Sequence, residues 1–292
     1  MAGGAFTVTA ELGPPRGAQT TGVRAKVAAL RDCVDAVNIT DNQSSYVRLA
    51  SWAGSMVALD EGVEPVMQVA CRDRNRIALQ SDLMSAAAFG VVNVLALTGD
   101  DPKQGNHPDA TPVFDLDSTG LLQAARNMRD EGRLLSGEVL DPAPQLFLGA
   151  VENAVPSSAG PGAQRLAKKV DAGAQFVQTQ FVFDVAEFAE WMHEVRDLGL
   201  DERCHILAGV GPIRSLRGLE RMRGIPGIRI PDQVAHRLGG VPPDRVADEG
   251  HRICAEVIAQ LREVDGVAGA HVMAIGQEEA IPGILQQAGV VR

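Results

Sequence analysis

Two carboxylates, Glu11 and Asp100, each follow a stretch that is typical of a buried β-strand. Residues 91–97 are almost entirely apolar and lead through Thr98 and Gly99 to Asp100, and residues 6–11 end in Glu11. Apolar runs without polar alternation are typical of strands buried on both faces of a parallel sheet. Paired carboxylates can transfer protons and hydrogen-bond the edge of a heterocycle. The alternative for each is a solvated turn carboxylate or a helix cap.

Short β-prone runs alternate with helical patterns along the whole chain. Eight such runs are predicted as strands, at residues 6–11, 36–40, 64–70, 91–97, 145–151, 176–180, 205–210 and 270–274. This alternation predicts an α/β fold with one domain over residues 1–292, a single (β/α)8 TIM barrel with extra helices before the last strand. Two smaller domains or a doubly wound open sheet are alternatives, and the absence of GxGxxG after the first strand disfavours the open sheet.

In such a barrel, the carboxyl ends of the strands form one rim that carries the chemistry. The polar side chains predicted at this rim are Glu11, Thr40, Gln68, Thr98, Asp100, Glu152, Asn153, Gln180 and Gln277. Lys168 and Lys169 could reach a phosphate there, although such a pair is also typical of a solvated helix face. Trp52 and Trp191 have apolar neighbours at helical spacing, so both are expected in the core.

Composition argues against several classes of protein. A formal net charge of −10 disfavours nucleic-acid binding, which requires a basic face. No apolar run approaches the roughly 20 residues of a membrane span, and the first residues lack the positive charge of a signal peptide, so a cytoplasmic location is expected. Cys33, Cys71, Cys204 and Cys254 are widely spaced, and the six histidines show neither HxH nor HExxH, so no metal centre is expected.

Several sequence blocks resemble the methylenetetrahydrofolate reductase family, in the same order along the chain. They are AELGPPR at residues 10–16, CRDRN at 71–75, LALTGDDP at 95–102, KVDAGA at 169–174 with QTQFVFD at 178–184, RIP at 229–231 and HVM at 271–273. The first is similar to the E-x-x-P-P signature of the family, and CRDRN with LALTGD is similar to one branch of it. The resemblance covers nearly the whole chain.

This resemblance implies a barrel that binds a flavin, usually FAD, and uses NAD(P)H to reduce 5,10-methylenetetrahydrofolate to 5-methyltetrahydrofolate. Glu11 would be the general acid that opens the methylene bridge, and Asp100 would hydrogen-bond the pterin and tune the flavin. The substrate, a tetrahydrofolate, would contact Gln180, Phe183 and Gln277. The flavin and its phosphates would be held by Thr40, Gln68, Thr98, Gly99 and Lys169.

The chain departs from the FAD-binding members at several of these contacts. After the fifth strand, those members have a Tyr and a His where this chain has Val151 and Val155. Gln68 replaces a His at the end of the third strand, and Thr98 replaces an Arg that precedes Gly-Asp. Gln277 replaces an Arg that helps to bind folate, and a Phe that stacks on the pterin falls near Met222. Open alternatives are direct hydride transfer from NAD(P)H, a deazaflavin-type carrier, or a folate-binding subunit that depends on a partner protein. Retention of both Glu11 and Asp100 favours catalysis.

The sequence does not determine the physiological direction of the reaction or the oligomeric state. The reaction could make methylfolate for methionine biosynthesis or oxidise methylfolate from a demethylation pathway, both within one-carbon metabolism. The resemblance implies a homo-oligomer. A phosphate-binding barrel lyase is a generic alternative, but no lysine stands at a predicted strand end to form a Schiff base.

Overall fold

The computed structural model describes residues 5–155 and 160–290. Within them, eight parallel strands close into a barrel in chain order, each pairing with the next and β8 pairing with β1. The strands are β1 (Thr7–Leu12), β2 (Ala36–Ile39), β3 (Glu64–Ala70), β4 (Asn93–Leu97), β5 (Phe147–Glu152), β6 (Phe176–Phe181), β7 (His205–Val210) and β8 (Val267–Val272). The predicted (β/α)8 barrel is confirmed.

Helices cover the outside of the barrel between the strands. In the described residues they are α1 (Thr21–Leu30), α2 (Ser51–Asp60), α3 (Arg76–Ala88), α4 (Ser118–Arg126), α5 (Gly162–Asp171), α6 (Val185–Asp197), α7 (Leu216–Arg223), α8 (Asp232–Gly239), α9 (Val246–Leu261) and α10 (Ile281–Gln287). As predicted, α7 to α9 form a longer excursion before the last strand. No helix in this part of the chain combines the length and apolarity that a membrane crossing requires.

Six of the eight predicted strands have different boundaries in the structure, and the last strand differs most. The last strand begins at Val267 rather than at residue 270 and ends at Val272 rather than at residue 274. Gly266, with φ of +86°, makes the turn that precedes it, and pairing with β1 starts at Gly269. The fourth strand begins at Asn93, two residues after its predicted start. Local composition predicted the strands, whereas the partner strands determine where the ladder begins.

Trp52 is not in the core, so that prediction was wrong, whereas Trp191 is buried. Trp52 is 47% exposed. Its helix α2 packs through small residues, and a Cβ on Gly54 would lie only 2.6 Å from the Cγ2 atom of Ile39. Because the backbone approaches the barrel this closely on one side, the bulky indole lies outside. Trp191 packs in α6 against Phe188, with ring centroids 5.4 Å apart.

Side chains inside the barrel form layers. An apolar layer contains Ala36, Val66, Phe176 and Leu207, together with Leu95, which extends to the carboxyl rim. Successive inward side chains are two residues apart on a strand, because side chains alternate between faces. The next layer is polar and fully buried, and its members are Thr9, Asn38, Gln178 and His271. This layer supports the floor of the carboxyl rim.

Candidate active site

A pocket of about 370 Å³ opens at the carboxyl rim, directly above the polar layer. Its walls include Glu11 and Gln68, which come from β1 and β3, and Glu152, Lys169, Gln180 and His271. We call it the Glu11 pocket. Its volume lies in the range of about 300–1,000 Å³ that is common for small-molecule sites. Six of the predicted rim and binding residues meet here, and they are Glu11, Gln68, Glu152, Asn153, Lys169 and Gln180.

The Glu11 carboxyl group is 9% exposed and receives amide hydrogen bonds. Gln43 Nε2 donates to Oε1 at 2.9 Å, and Gln68 Nε2 donates to Oε2 at 3.4 Å. The Nε2 atom of His271 lies 3.8 Å from the same Oε2. These contacts aim a buried carboxyl group into the pocket, as a proton-transfer role requires.

A hydrogen-bonded chain runs beneath Glu11 and was missed by the sequence analysis. Asn38 and Gln178 exchange two amide hydrogen bonds of 2.6 and 3.0 Å. Gln178 Nε2 also donates to Thr9 Oγ1 at 3.1 Å, and that oxygen lies 2.8 Å from His271 Nδ1. The signal was present in β1, where Thr7, Thr9 and Glu11 are polar at every second position. Such a period-2 pattern places all three on one face. Their partners become evident only from the strand register.

Glu152 binds two cations of α5. Its Oε1 atom accepts from Arg165 Nε at 3.0 Å, and its Oε2 atom accepts from Lys169 Nζ at 2.8 Å. Lys169 also donates to the carbonyl oxygen of Val151 at 2.5 Å. The lysine that was predicted to reach a phosphate is thus already neutralised, and its neighbour Lys168 is exposed.

Asp100 and Thr98 lie on the rim but outside the walls of the Glu11 pocket. The exposed carboxylate of Asp100 accepts from the backbone N–H of Ser44 at 3.1 Å. Thr98 Oγ1 accepts from the N–H of Ser118 at 3.1 Å, at the start of α4. Between them, Gly99 has φ of +98°, and a Cβ there would lie 2.9 Å from the Cβ of Arg72. This tight approach fixes the loop after β4.

The residues assigned to flavin binding by the resemblance do not fit a tightly held flavin phosphate. Lys169 is paired with Glu152, Thr98 with the start of α4, and Gln68 with Glu11. Thr40 is fully buried, and its hydroxyl lacks a hydrogen-bond partner in the described residues. A phosphate at Lys169 would have to share this ammonium group with the buried carboxylate of Glu152, which would repel it.

A second pocket of about 430 Å³ adjoins the first, and Met273 lines both. Its walls include Phe181, Met222 and Ile275, with Arg214 and Arg221 among the lining residues. We call it the arginine pocket.

Gln277 also lines the arginine pocket, and its Oε1 atom lies 3.1 Å from His251 Nε2. Phe183 lines neither of the two pockets. It is buried in a small core with α7 to α9, and its ring stacks on Phe181 at 6.0 Å.

Cysteine nucleophiles are disfavoured by burial. Burial raises the pKa of the thiols of Cys71, Cys204 and Cys254 to about 12. Because a thiolate is the nucleophilic form, these three groups are inert near neutral pH. Within residues 5–155 and 160–290, no group of three or more His, Cys, Asp and Glu side chains could hold a metal ion.

Comparison with known proteins connects this barrel to folate enzymes. A probable methylenetetrahydrofolate reductase (NADH) from rice (Oryza sativa subsp. japonica) is 25% identical over 239 residues, which cover 78% of this chain and 38% of the relative. The 5,10-methylenetetrahydrofolate reductase of Pectobacterium carotovorum is 23% identical over 78% of this chain and 71% of its own length. The chain thus spans about 38% of the length of the plant relatives that it matches.

Solved structures share the fold. An uncharacterized protein from Clostridium thermocellum, described as binding two copies of 5-methyl-5,6,7,8-tetrahydrofolic acid, superposes with a TM-score of 0.68 at 13% identity, over 98% of this chain and 96% of that one. Tryptophan synthase from M. tuberculosis superposes with a TM-score of 0.51 at 15% identity, over 99% and 94%. Identities this low show a common barrel only. A sequence model described as methylenetetrahydrofolate reductase, however, matches residues 1–289, and the chain therefore belongs to the methylenetetrahydrofolate reductase family.

Proposed function

We propose that this protein interconverts 5,10-methylenetetrahydrofolate and 5-methyltetrahydrofolate with NAD(P)H in the Glu11 pocket. The observation that carries the proposal is the buried Glu11 carboxyl group, held by Gln43 and Gln68 in a pocket that also contains Gln180. Family membership supports it, as do relatives named for NADH and for NADPH. The Clostridium barrel described as binding 5-methyltetrahydrofolate supports a folate ligand.

The side chains of the pocket suit the two steps that this reduction needs. The amide of Gln180 can hydrogen-bond the pterin edge while Glu11 protonates N10 of the folate. The bond between N10 and the methylene carbon then breaks and leaves an iminium at N5. A hydride from C4 of NAD(P)H adds to that carbon, so one hydride and one proton convert the methylene bridge into a methyl group and an N10–H. Asp100, whose Oδ2 atom accepts from the Ser44 N–H, would contact the pterin through its other carboxylate oxygen.

The side chains at the expected flavin-binding positions already contact other protein groups, and this favours direct hydride transfer from NAD(P)H over transfer through a flavin. Lys169 and Thr98 already have protein partners, and placing a phosphate beside Lys169 would leave the Glu152 carboxylate buried without this cation. Glu152 would then keep only Arg165 as a cationic partner, at 2.9 Å, and a buried carboxylate that loses one of two cations is destabilised. We therefore propose that NAD(P)H is the immediate reductant, and that the family's usual FAD is not a resident group of this chain.

The purified protein is expected to be colourless and yet to oxidise NAD(P)H when methylenetetrahydrofolate is added. Its visible absorption spectrum should lack a flavin band, and added FAD or FMN should leave turnover unchanged. A flavin band that NAD(P)H bleaches and the folate restores would contradict direct transfer while supporting the reductase activity. A colourless protein that is inactive with both nucleotides, with or without flavin, would contradict the proposed function itself.

The arginine pocket supports a place for the anionic end of folate. A tetrahydrofolate carries a p-aminobenzoyl group and one or more glutamates beyond its pterin, and this pocket joins apolar walls to Arg214 and Arg221. Neither arginine has an ion-pair or side-chain hydrogen-bond partner among the described residues, unlike Arg223, which pairs with Asp232 at 3.2 Å. With the pterin beside Glu11, the tail would pass Met273 into this pocket.

Replacing Arg214 and Arg221 together with alanine should raise the KM for methylenetetrahydrofolate triglutamate by about tenfold, since two exposed charge contacts of up to about 1 kcal/mol each would be lost. The KM for the monoglutamate should rise less, and kcat should hold. Steady-state kinetics with both folates checks this. Arg217→Ala is the control, because Arg217 is exposed on the same helix as Arg221 and does not line the pocket. An increase in the KM of NAD(P)H alone would instead assign the arginines to the nucleotide.

Cytoplasmic location, a homo-oligomeric state, a partner protein and a role in methionine biosynthesis stay predictions from the sequence.

A further inference from the structure

The hydrogen bonds below Glu11 favour the tautomer of His271 that carries its proton on Nε2. Thr9 Oγ1 accepts from Gln178 Nε2 at 3.1 Å, and Asn38 orients the Gln178 amide through two reciprocal hydrogen bonds. The Thr9 hydroxyl hydrogen is then available for its other neighbour, His271 Nδ1, at 2.8 Å. A neutral imidazole that accepts at Nδ1 carries its proton on Nε2.

This Nε2–H faces the Glu11 carboxyl group. The Nε2 atom lies 3.8 Å from Glu11 Oε2, and the imidazole is 2% exposed, so water does not intervene freely. Gln43 and Gln68 donate to the same carboxyl group from other sides. The other charged groups lining this pocket, Glu152 and Lys169, are paired with each other at 2.8 Å. His271 is therefore the uncommitted donor nearest to Glu11.

We propose that His271 is a positioning residue that assists proton donation by Glu11. The inference rests on the proposed function, in which Glu11 gives its proton to N10 of the folate and becomes a carboxylate. A small movement of either side chain would close the 3.8 Å separation to a hydrogen bond as that negative charge develops. A hydrogen bond to the charged form of a carboxyl group favours it, and the favourable effect is larger in a pocket shielded from water. The chain Asn38–Gln178–Thr9 holds the imidazole in the tautomer that can donate.

Two conservative variants separate this role from simple packing. In His271→Asn, the side-chain amide can still contact Thr9 but is too short to donate to Glu11. In His271→Gln, the longer amide can present an N–H close to the former Nε2 position. We expect His271→Asn to lower kcat roughly tenfold or more, the usual effect of losing a hydrogen bond to a charged group, and His271→Gln to restore most of it. The KM of the folate should change by less than about threefold in both, since the ground state does not need this bond.

The Glu11→Gln background tests whether His271 acts through Glu11. Adding His271→Asn to Glu11→Gln should lower the residual single-turnover rate by less than about twofold, because the group it assists is already gone. His205→Asn is the control, since His205 lies at the amino end of β7, at the opposite end of the barrel.

Equal losses of kcat in His271→Asn and His271→Gln, or additive effects with Glu11→Gln, would overturn the positioning role while wild-type turnover still supports the reductase. A wild-type protein that does not reduce methylenetetrahydrofolate with either nucleotide would overturn the proposed function first.

Discussion

Glu11→Gln is expected to lower kcat for folate reduction roughly 100- to 10,000-fold, the usual contribution of a general acid. Glutamine has nearly the same shape as glutamate but carries no acidic proton, so N10 of the folate would have to leave as a nitrogen anion. The amide can still hydrogen-bond Gln43 and Gln68, which now contact the carboxyl group at 2.9 and 3.4 Å. Affinity for 5-methyltetrahydrofolate should therefore remain close to that of the wild type.

Turnover should be measured under single-turnover conditions, with folate affinity determined separately by calorimetry. Glu64→Gln provides the matched control, because Glu64 makes the same kind of contact, to Asn93 Nδ2 at 2.7 Å, at the amino end of β3. That variant should retain wild-type kcat. If Glu11→Gln turned over at the wild-type rate, Glu11 would not be the proton donor. If it lost folate binding as well, its role would be recognition of the pterin.

The fold was predictable because its signals are local. Apolar runs such as residues 91–97 identify buried strands without knowledge of their neighbours, and eight alternations with helices leave few architectures. Trp52 shows where local reasoning fails. The helical spacing of its apolar neighbours was correct, but Gly54 brings the helix so close to Ile39 that the indole lies outside the contact. Burial depends on which face of the helix approaches the sheet.

The sequence predicted which side chains lie at the carboxyl rim, but it did not predict their contacts. The structure brings Glu11, Gln68 and Gln180, from three strand ends, around one pocket. The partners of each side chain depend on register and on loop paths, which the sequence does not determine locally. Asp100 therefore contacts the loop at Ser44, and Lys169 contacts Glu152. Sequence similarity identifies equivalent positions in two proteins. Whether a cation at such a position can bind a phosphate depends on its contacts in each structure.

The polar layer has a further consequence for the barrel as a scaffold. Four buried polar residues would be costly in an apolar core unless all were hydrogen-bonded. Thr9, Asn38, Gln178 and His271 hydrogen-bond one another in a chain, and the Nε2 atom of His271 at its end lies 3.8 Å from Glu11 Oε2. Part of the barrel interior is therefore polar and serves to orient one carboxyl group. The packing that keeps the strands in register must come from the apolar layer.

Phe176 is a large, buried member of that apolar layer, and Phe176→Ala is expected to reduce the free energy of unfolding by about 3–5 kcal/mol. Its ring is 1% exposed and stacks on Phe147 with centroids 5.4 Å apart and planes 14° apart. Urea unfolding followed by circular dichroism would measure the loss. Phe89→Ala is the control, because Phe89 is 64% exposed and its removal should cost no more than about 0.5 kcal/mol.

A second substitution, at Gly149, tests whether the stability lost in Phe176→Ala comes from the packing of this ring. A Cβ at Gly149 would lie 2.1 Å from the Cζ atom of Phe176, so Gly149→Ala alone should destabilise the barrel by about 1–3 kcal/mol through overpacking. In the double variant the new methyl group would occupy space that the missing ring has left. Its loss should therefore be smaller than the sum of the two single losses, by about 0.5–3 kcal/mol. Strict additivity would mean that the two positions do not share this space and that another contact fills the lower barrel.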